Sequence, residues 1–327
     1  MSTVLPKKLR AGSRLRVISP SRGLAAINQT PQEHENLSLA LTHLESIGLK
    51  IEFASGASEV DLFETPPLVQ RLADLHQAFR DPDVDGIITS IGGFNANQLL
   101  PWIDYPLLAQ NPKVFCGYSD ITVLSGALLA KTNMVSYSGP HFSTFGMRDG
   151  IEYTIKEFQK ALFKNSPWRI EPSSLWCEDD WFLNQDLRSF HDNPGYLCIS
   201  EGEAEGEVVV GNLTSLHLLQ GTEYMPLLEG RLLFVEDLRN IAEIDRVLES
   251  ILQTPQGEKI AGLVLGRSPS SAGVTKAHLL ELVERHALKG KPVIYGLDIG
   301  HTAPHSTIPF GGTARIISLV DHVSVEI

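Results

Sequence analysis

Val114-Phe115-Cys116-Gly117-Tyr118-Ser119-Asp120-Ile121-Thr122 is the stretch from which the fold can be worked out. An apolar run ends at Gly117, a serine follows two positions later, and Ile121, Val123, Leu124, Ala127, Leu128 and Leu129 then recur at helical spacing. The pattern predicts a strand, a sharp turn and a helix. A serine on such a turn is lifted clear of the sheet, beside the first amides and the positive dipole end of the new helix. That geometry suits a nucleophile. Capping of the helix by Ser119 or Asp120 explains the motif equally well, so residues elsewhere must decide.

Working outward toward the N-terminus, Leu15 to Pro20 reads as a strand ending in a Ser/Pro/Gly loop, followed by a helical pattern in Leu37, Leu39, Ala40, Leu44 and Ile47 that closes at Gly48. Ile51 to Ala54 is a second strand, and Pro67 to Phe79 a helix with Leu68, Leu72, Leu75 and Phe79 on one face, stopped by Asp81-Pro82. Val84 to Ile91 is a buried strand ending in Gly92-Gly93, with a short helix near Asn97 to Leu100. After the central stretch, Met134 to Tyr137 forms one more strand, closing on Gly139-Pro140-His141. Strands separated by helices of this length imply βαβ units and a parallel sheet covered on both faces, whose ligands bind beyond the carboxyl ends of the strands. Those ends carry Ser19-Pro20-Ser21, Gly92-Gly93 and Ser119. The glycine pair lets backbone amides approach a ligand and can complete an oxyanion hole with the amide of Asp120; a plain tight turn is the alternative. No G-x-G-x-x-G follows the first strand and no G-x-x-x-x-G-K-[ST] occurs, so no nucleotide cofactor is expected.

The whole chain has 327 residues, 43% apolar and 20% charged, as expected of a globular protein with room for one large or two ordinary domains. Its net charge of -12 argues against a nucleic-acid polymer as partner, because such binding rests on Lys and Arg neutralising phosphates. Three cysteines, Cys116, Cys177 and Cys198, are an odd number without metal-type pairing and suit a reducing compartment. The N-terminal residues contain no apolar run before the first strand, so neither a signal peptide nor a membrane span is expected and a cytoplasmic location follows.

Past residue 146 the periodicity changes. Ile151 to Phe163 reads as a helix, but 165–205 runs without a regular pattern and holds Trp168, Trp176 and Trp181, a content that favours a lid or binding loop over a mere plug between domains. Beyond it, Glu203 to Gly211 opens a new sheet, Arg231 to Glu236-Asp237 is a buried strand ending in two carboxylates, Ile260 to Leu265 and Pro292 to Asp298 are further strands, and Ser306 to Ile327 suggests a hairpin turning at Gly311-Gly312. The expected organisation is an N-terminal α/β domain over 1–146, a linker and Trp-bearing loop over 147–205, and a smaller C-terminal domain over 206–327.

Ser119, Glu236 and His301 each stand just past an apolar run. A serine needs a base to attack at neutral pH, imidazole has the pKa for that task, and a carboxylate fixes its tautomer. Asp237 rivals Glu236, and His141, after its own strand and Gly-Pro, rivals His301. Asp298, His301 and His305 raise the possibility of a metal, but Gly300 and Pro304 deny them a helical H-x-x-x-H face and there is no H-E-x-x-H, so no metal is expected. The α/β-hydrolase elbow is incomplete, since Gly117-Tyr118-Ser119-Asp120-Ile121 lacks the second glycine. A metal-dependent hydrolase and a non-catalytic two-domain ligand-binding protein remain the alternatives from other classes.

Gly117-Tyr118-Ser119-Asp120, Phe234-Val235-Glu236-Asp237 and Gly300-His301-Thr302-Ala303-Pro304 with Pro309-Phe310-Gly311 resemble the signature blocks of the LD-carboxypeptidase family of serine peptidases, which includes murein tetrapeptide carboxypeptidases and microcin C immunity proteins. The resemblance runs nearly the length of the chain, taking in Ile18-Ser19-Pro20, Ile91-Gly92-Gly93 and Gly211-Asn212-Leu213. It implies a flavodoxin-like (Rossmann-like) N-terminal domain, a mixed, barrel-like C-terminal domain, a homodimer, and a Ser-His-Glu triad falling on Ser119, His301 and Glu236, with Gly93 and Asp120 as the oxyanion-hole amides. The Trp-bearing segment looks like the immunity branch, where a loop tryptophan stacks on a nucleotide base; Trp181 matches best, with Trp176 behind it. Asn212 and Arg239 are the substrate contacts it implies, and the implied substrate is a murein L,D-peptide or an aminoacyl-nucleotide.

Overall fold

The computed structural model describes residues 3–58 and 60–327. Its first sheet is built from β1 (Arg14–Ile18), β2 (Lys50–Phe53), β3 (Gly86–Thr89), β4 (Val114–Gly117) and β5 (Ser136–Ser138), all mutually parallel in the order β5-β4-β3-β1-β2. Both faces are apolar, which is why these strands read as continuous runs. Ile87 and Phe115 enter one core, while their neighbours Ile88, Val114 and Cys116 enter the other with Leu15, Val17, Phe142, Phe145 and Phe158.

The crossovers are α1 (Pro31–Ser46), α2 (Leu68–Arg80), α3 (Tyr105–Gln110) and α4 (Thr122–Thr132). α1 starts on a capping box in which Thr30 accepts from the amide of Glu33 and the Glu33 carboxylate accepts from that of Thr30. The short helix expected near Asn97 to Leu100 is a 3-10 segment, Ala96–Trp102, and α3 follows it. Six residues are too few for helical periodicity to register, so α3 has no signature in the sequence.

α5 (Glu152–Phe163) leads into the segment that carries the tryptophans. That segment has more order than its pattern suggests: β6 (Leu175–Trp176) and β7 (His191–Asp192) pair as a small hairpin, and β8 (Leu197–Ser200) joins the second sheet. β9 (Gly202–Asn212), β10 (Leu232–Glu236), β11 (Gly262–Gly266) and β12 (Val293–Leu297) form its parallel centre, linked by α6 (Leu213–His217), α7 (Ile241–Leu252) and α8 (Lys276–Arg285). β8 flanks β12 antiparallel.

The C-terminal residues divide between the sheets. β13 (Ile308–Phe310) adds antiparallel to β5 in the first sheet, and β14 (Thr313–Leu319) pairs with β9 and with β15 (His322–Glu326) in the second. The hairpin turn is therefore at Val320-Asp321; Gly311-Gly312 is where the chain passes from one sheet to the other. The second sheet curls toward a barrel, so that the Ser318 hydroxyl on β14 donates to the carbonyl of Val293 on β12 at 3.1 Å. One core cluster holds side chains of both sheets, among them Ile87, Phe115, Val209 and Phe234. No helix among the described residues is long and apolar enough to cross a membrane.

Candidate active site

Ser119 follows β4 by two residues with a backbone φ of 59°, a left-handed conformation costly for a side chain other than glycine's. Packing holds it there. A Cβ on Gly92 would lie 2.9 Å from Ser119 Cβ and 3.1 Å from its Oγ, and one on Gly117 would lie 2.4 Å from Thr89 Oγ1, so the turn closes only because both are glycines.

Glu236 is the last residue of β10, and His301 lies in the loop after β12. The imidazole spans the gap between the two sheets: Nδ1 is 2.8 Å from Glu236 Oε2 and Nε2 is 3.1 Å from Ser119 Oγ. A carboxylate only accepts, so Nδ1 carries the proton and donates, and Nε2 of the neutral ring accepts from the Ser119 hydroxyl. Burial disfavours charge on both groups, yet each stabilises the other: the Glu236 carboxylate raises the imidazole pKa above its ordinary value, and the ring holds the carboxyl below its own. Gly300, at φ 100°, allows this contact, since a Cβ there would sit 2.6 Å from Glu236 Oε2.

The two rivals face elsewhere. Asp237 accepts from the amide and hydroxyl of Thr214 and from the amide of Arg239. His141 is buried beneath Tyr118, ring centroids 4.0 Å apart, and its Nε2 lies 3.0 Å from the Tyr118 carbonyl; burial pushes its pKa down to about 3, which keeps it neutral. Asp298, His301 and His305 do not converge on a common point. Asp298 accepts from Ser173 and Arg267, and His305 Nδ1 lies against the carbonyl of Ser306. Among the described residues no group of three or more His, Cys, Asp or Glu side chains is arranged to hold a metal ion.

Asp120, expected to contribute its amide, also uses its side chain. Its carboxylate accepts from the Ser21 hydroxyl at 2.5 Å and from the amide of Ala96 at 2.8 Å, tying the β1 loop and the Gly92-Gly93 loop to the serine turn. Burial raises its pKa and these donors oppose the rise. Gly93 has φ 146°, and a Cβ there would lie 2.4 Å from Ser21 Oγ. Ser21 stands among the strand-end residues legible in the sequence, but nothing beside it in the chain shows that its hydroxyl meets Asp120.

Asn212 bridges the two halves. Its amide donates to Thr122 Oγ1 in the first turn of α4, its Nδ2 donates to Glu236 Oε1 at 3.1 Å, and its Oδ1 caps α6 at Ser215. The side chain is thus occupied in holding Glu236. Arg239 is half-exposed, with loose pairings of 3.8 Å to Asp237 and 3.9 Å to Glu243. Trp181 is partly buried with Phe182 as its ring neighbour, 6.1 Å away; no contact joins it to Ser119, Glu236 or His301. Trp176, by contrast, is held between His191 and the guanidinium of Arg267, which is itself ion-paired to buried Asp298. A cavity of about 320 Å³ lined by Tyr153, Ser173, Cys177, Phe190 and Ala303 includes none of Ser119, Glu236 and His301.

Comparison with known proteins agrees along the chain. Residues 15–139 match the LD-carboxypeptidase N-terminal domain and 205–316 the LD-carboxypeptidase C-terminal domain. A putative carboxypeptidase of Bacillus subtilis, YocD, is 41% identical over 94% of each chain. A solved MccF-like protein of Bacillus anthracis superposes with a TM-score of 0.96 at 42% identity, covering 99% of both chains. The microcin C7 self-immunity protein MccF of Escherichia coli is 31% identical over 82% of this chain and 81% of its own. A structure of MccF in complex with aspartyl sulfamoyl adenosine superposes with a TM-score of 0.88 at 26% identity, over 99% of this chain and 98% of that one. By its two domain matches and by identity over nearly its full length, the chain belongs to the LD-carboxypeptidase family and is a serine-peptidase-like hydrolase.

Proposed function

We propose that the protein is a serine carboxypeptidase that cleaves the amide at a carboxy-terminal residue of a murein L,D-peptide or of a peptidyl- or aminoacyl-nucleotide. The observation that carries this reading is the single imidazole of His301 bonded at one nitrogen to Ser119 and at the other to Glu236. Ser119 Oγ attacks the carbonyl carbon as its proton passes to His301 Nε2. Glu236 steadies the resulting imidazolium, and the imidazolium then protonates the leaving amine. Water, deprotonated by the same nitrogen, hydrolyses the acyl-enzyme. The amides of Gly93 and Asp120 receive the developing oxyanion; among the described residues nothing accepts a hydrogen bond from the Gly93 amide, which supports this role.

Trp181 and Arg239 are the contacts for the far end of the substrate. Trp176 is already stacked on Arg267, which leaves Trp181 as the ring free to take a base, and Arg239 has only long ion pairs to give up. Asn212 supports Glu236 from behind, its Nδ2 donating to Oε1 at 3.1 Å and to the Glu236 carbonyl at 3.4 Å, so a contact with substrate displaces the longer of the two. The three free cysteines fit action in the cytoplasm, and the resemblance implies a homodimer. The test is a mass-spectrometric comparison of a murein L,D-tetrapeptide and aspartyl sulfamoyl adenosine, with Ser119→Ala as control. Cleavage of one and not the other identifies the branch. Cleavage that survives Ser119→Ala, or that is lost on chelation, defeats the serine mechanism.

A further inference from the structure

Phe94, the residue after the glycine pair, takes no part in the chemistry above, yet its side chain is 89% exposed, an uncommon state for a phenyl ring. Everything around it is held. Gly92 packs on Ser119, and its carbonyl accepts from the amide of Arg22 at 3.0 Å. Asn95 donates its amide to Ser21 Oγ and its Nδ2 to Thr65 Oγ1 at 2.7 Å, and its carbonyl accepts from buried Arg71 at 3.0 Å. The next amide, of Ala96, is bound by Asp120. The ring is therefore presented to solvent from a backbone fixed on both sides.

That backbone is the one touching the nucleophile. Successive Cα atoms are about 3.8 Å apart, so the root of Phe94 lies within about 8 Å of Gly92, and a phenyl ring reaches some 5 Å further. Ordering an aromatic ring on a rigid loop costs little conformational entropy, which makes it an effective contact for a ligand.

We infer that Phe94 is a specificity-determining residue, packing on an apolar or aromatic group of the substrate within one residue of the scissile carbonyl. The inference rests on the serine-hydrolase reading, and its test separates the two. Phe94→Ala and Phe94→Leu are compared with the unaltered protein in three measurements: labelling of Ser119 by a small fluorophosphonate, KM and kcat for the two substrates named above, and mass by light scattering. For Phe94→Ala, KM should rise about tenfold on at least one substrate with kcat within about threefold, as expected for loss of one aromatic contact. Phe94→Leu should recover part of that loss, and labelling should be unchanged.

An unchanged KM on both substrates, with Ser119 still labelled, overturns the inference alone. Labelling slowed in parallel would make the ring a prop of the loop, and a change in mass would make it a contact between copies of the chain; either also overturns it. If the unaltered protein neither labels at Ser119 nor turns over either substrate, the serine-hydrolase reading falls first and takes the inference with it.

Discussion

Replacing Glu236 by Gln tests the site more sharply than removing any of its members, because size and burial are unchanged and only the hydrogen-bond chemistry differs. In the native site Oε2 accepts from His301 Nδ1 and Oε1 accepts from Asn212 Nδ2. An amide has one acceptor, so it can satisfy only one of these donors. If its oxygen faces His301, its NH2 meets the NH2 of Asn212. If it turns to satisfy Asn212, its NH2 donates to His301 Nδ1, the ring proton moves to Nε2, and the imidazole can no longer accept from Ser119. Asn212 is fixed by its cap on Ser215, so the second arrangement prevails.

A comparable wrong-tautomer substitution in a serine protease costs about 10⁴-fold in kcat, equivalent to about 5 kcal/mol of transition-state stabilisation. Loss of the carboxylate also removes what raises the His301 pKa, so the acidic limb of kcat/KM should move to lower pH. The assay is release of the carboxy-terminal residue followed across pH 5 to 9, with thermal unfolding to establish that the variant is folded. Activity within tenfold of the unaltered protein at all pH values would refute the assigned role of Glu236.

Three further outcomes are expected. Gly92→Ala should leave the fold intact but lower turnover at least 100-fold, because the new methyl displaces the Ser119 hydroxyl; steady-state kinetics with a melting curve check this, and near-normal turnover would mean the loop has slack. Asp120→Ala, which removes the one carboxylate oxygen that accepts from both the Ser21 hydroxyl and the Ala96 amide, should lower kcat more than it raises KM, and equal effects on both would count against a role in setting the loop. His141 stays neutral in the fold down to about pH 3 while the unfolded chain takes up a proton near 6.5, so this residue makes stability fall as pH drops through that window, by up to roughly 5 kcal/mol at its lower end. The slope of Tm against pH between 6.5 and 4 should flatten in His141→Gln; an unchanged slope would show that other groups control acid unfolding.

What could be read from the residues was what depends on neighbours in sequence. The strand-turn-helix at Ser119, the strand ending at Glu236 and the glycine-flanked loop at His301 all announce themselves through local periodicity and punctuation. What could not be read depends on packing between distant segments. Nothing near Asn212 shows that its side chain will meet Glu236, and nothing near Gly300 shows that its missing Cβ makes room for the same carboxylate. β13, three residues long, has the pattern of either sheet, and only its pairing with β5 assigns it. The hold on Trp176 is hidden in the same way, because its partner Arg267 lies ninety-one positions later in the chain.

The passage of β13 into the first sheet has a mechanical consequence. A polypeptide that leaves one half, laces an edge of the other and returns cannot have its halves pulled apart without first unthreading that stitch. The two halves should therefore melt in a single transition, and severing the chain at Gly311-Gly312 should loosen β14 and β15 while β13, still paired with β5 and joined to the His301 loop, keeps the imidazole beside the serine.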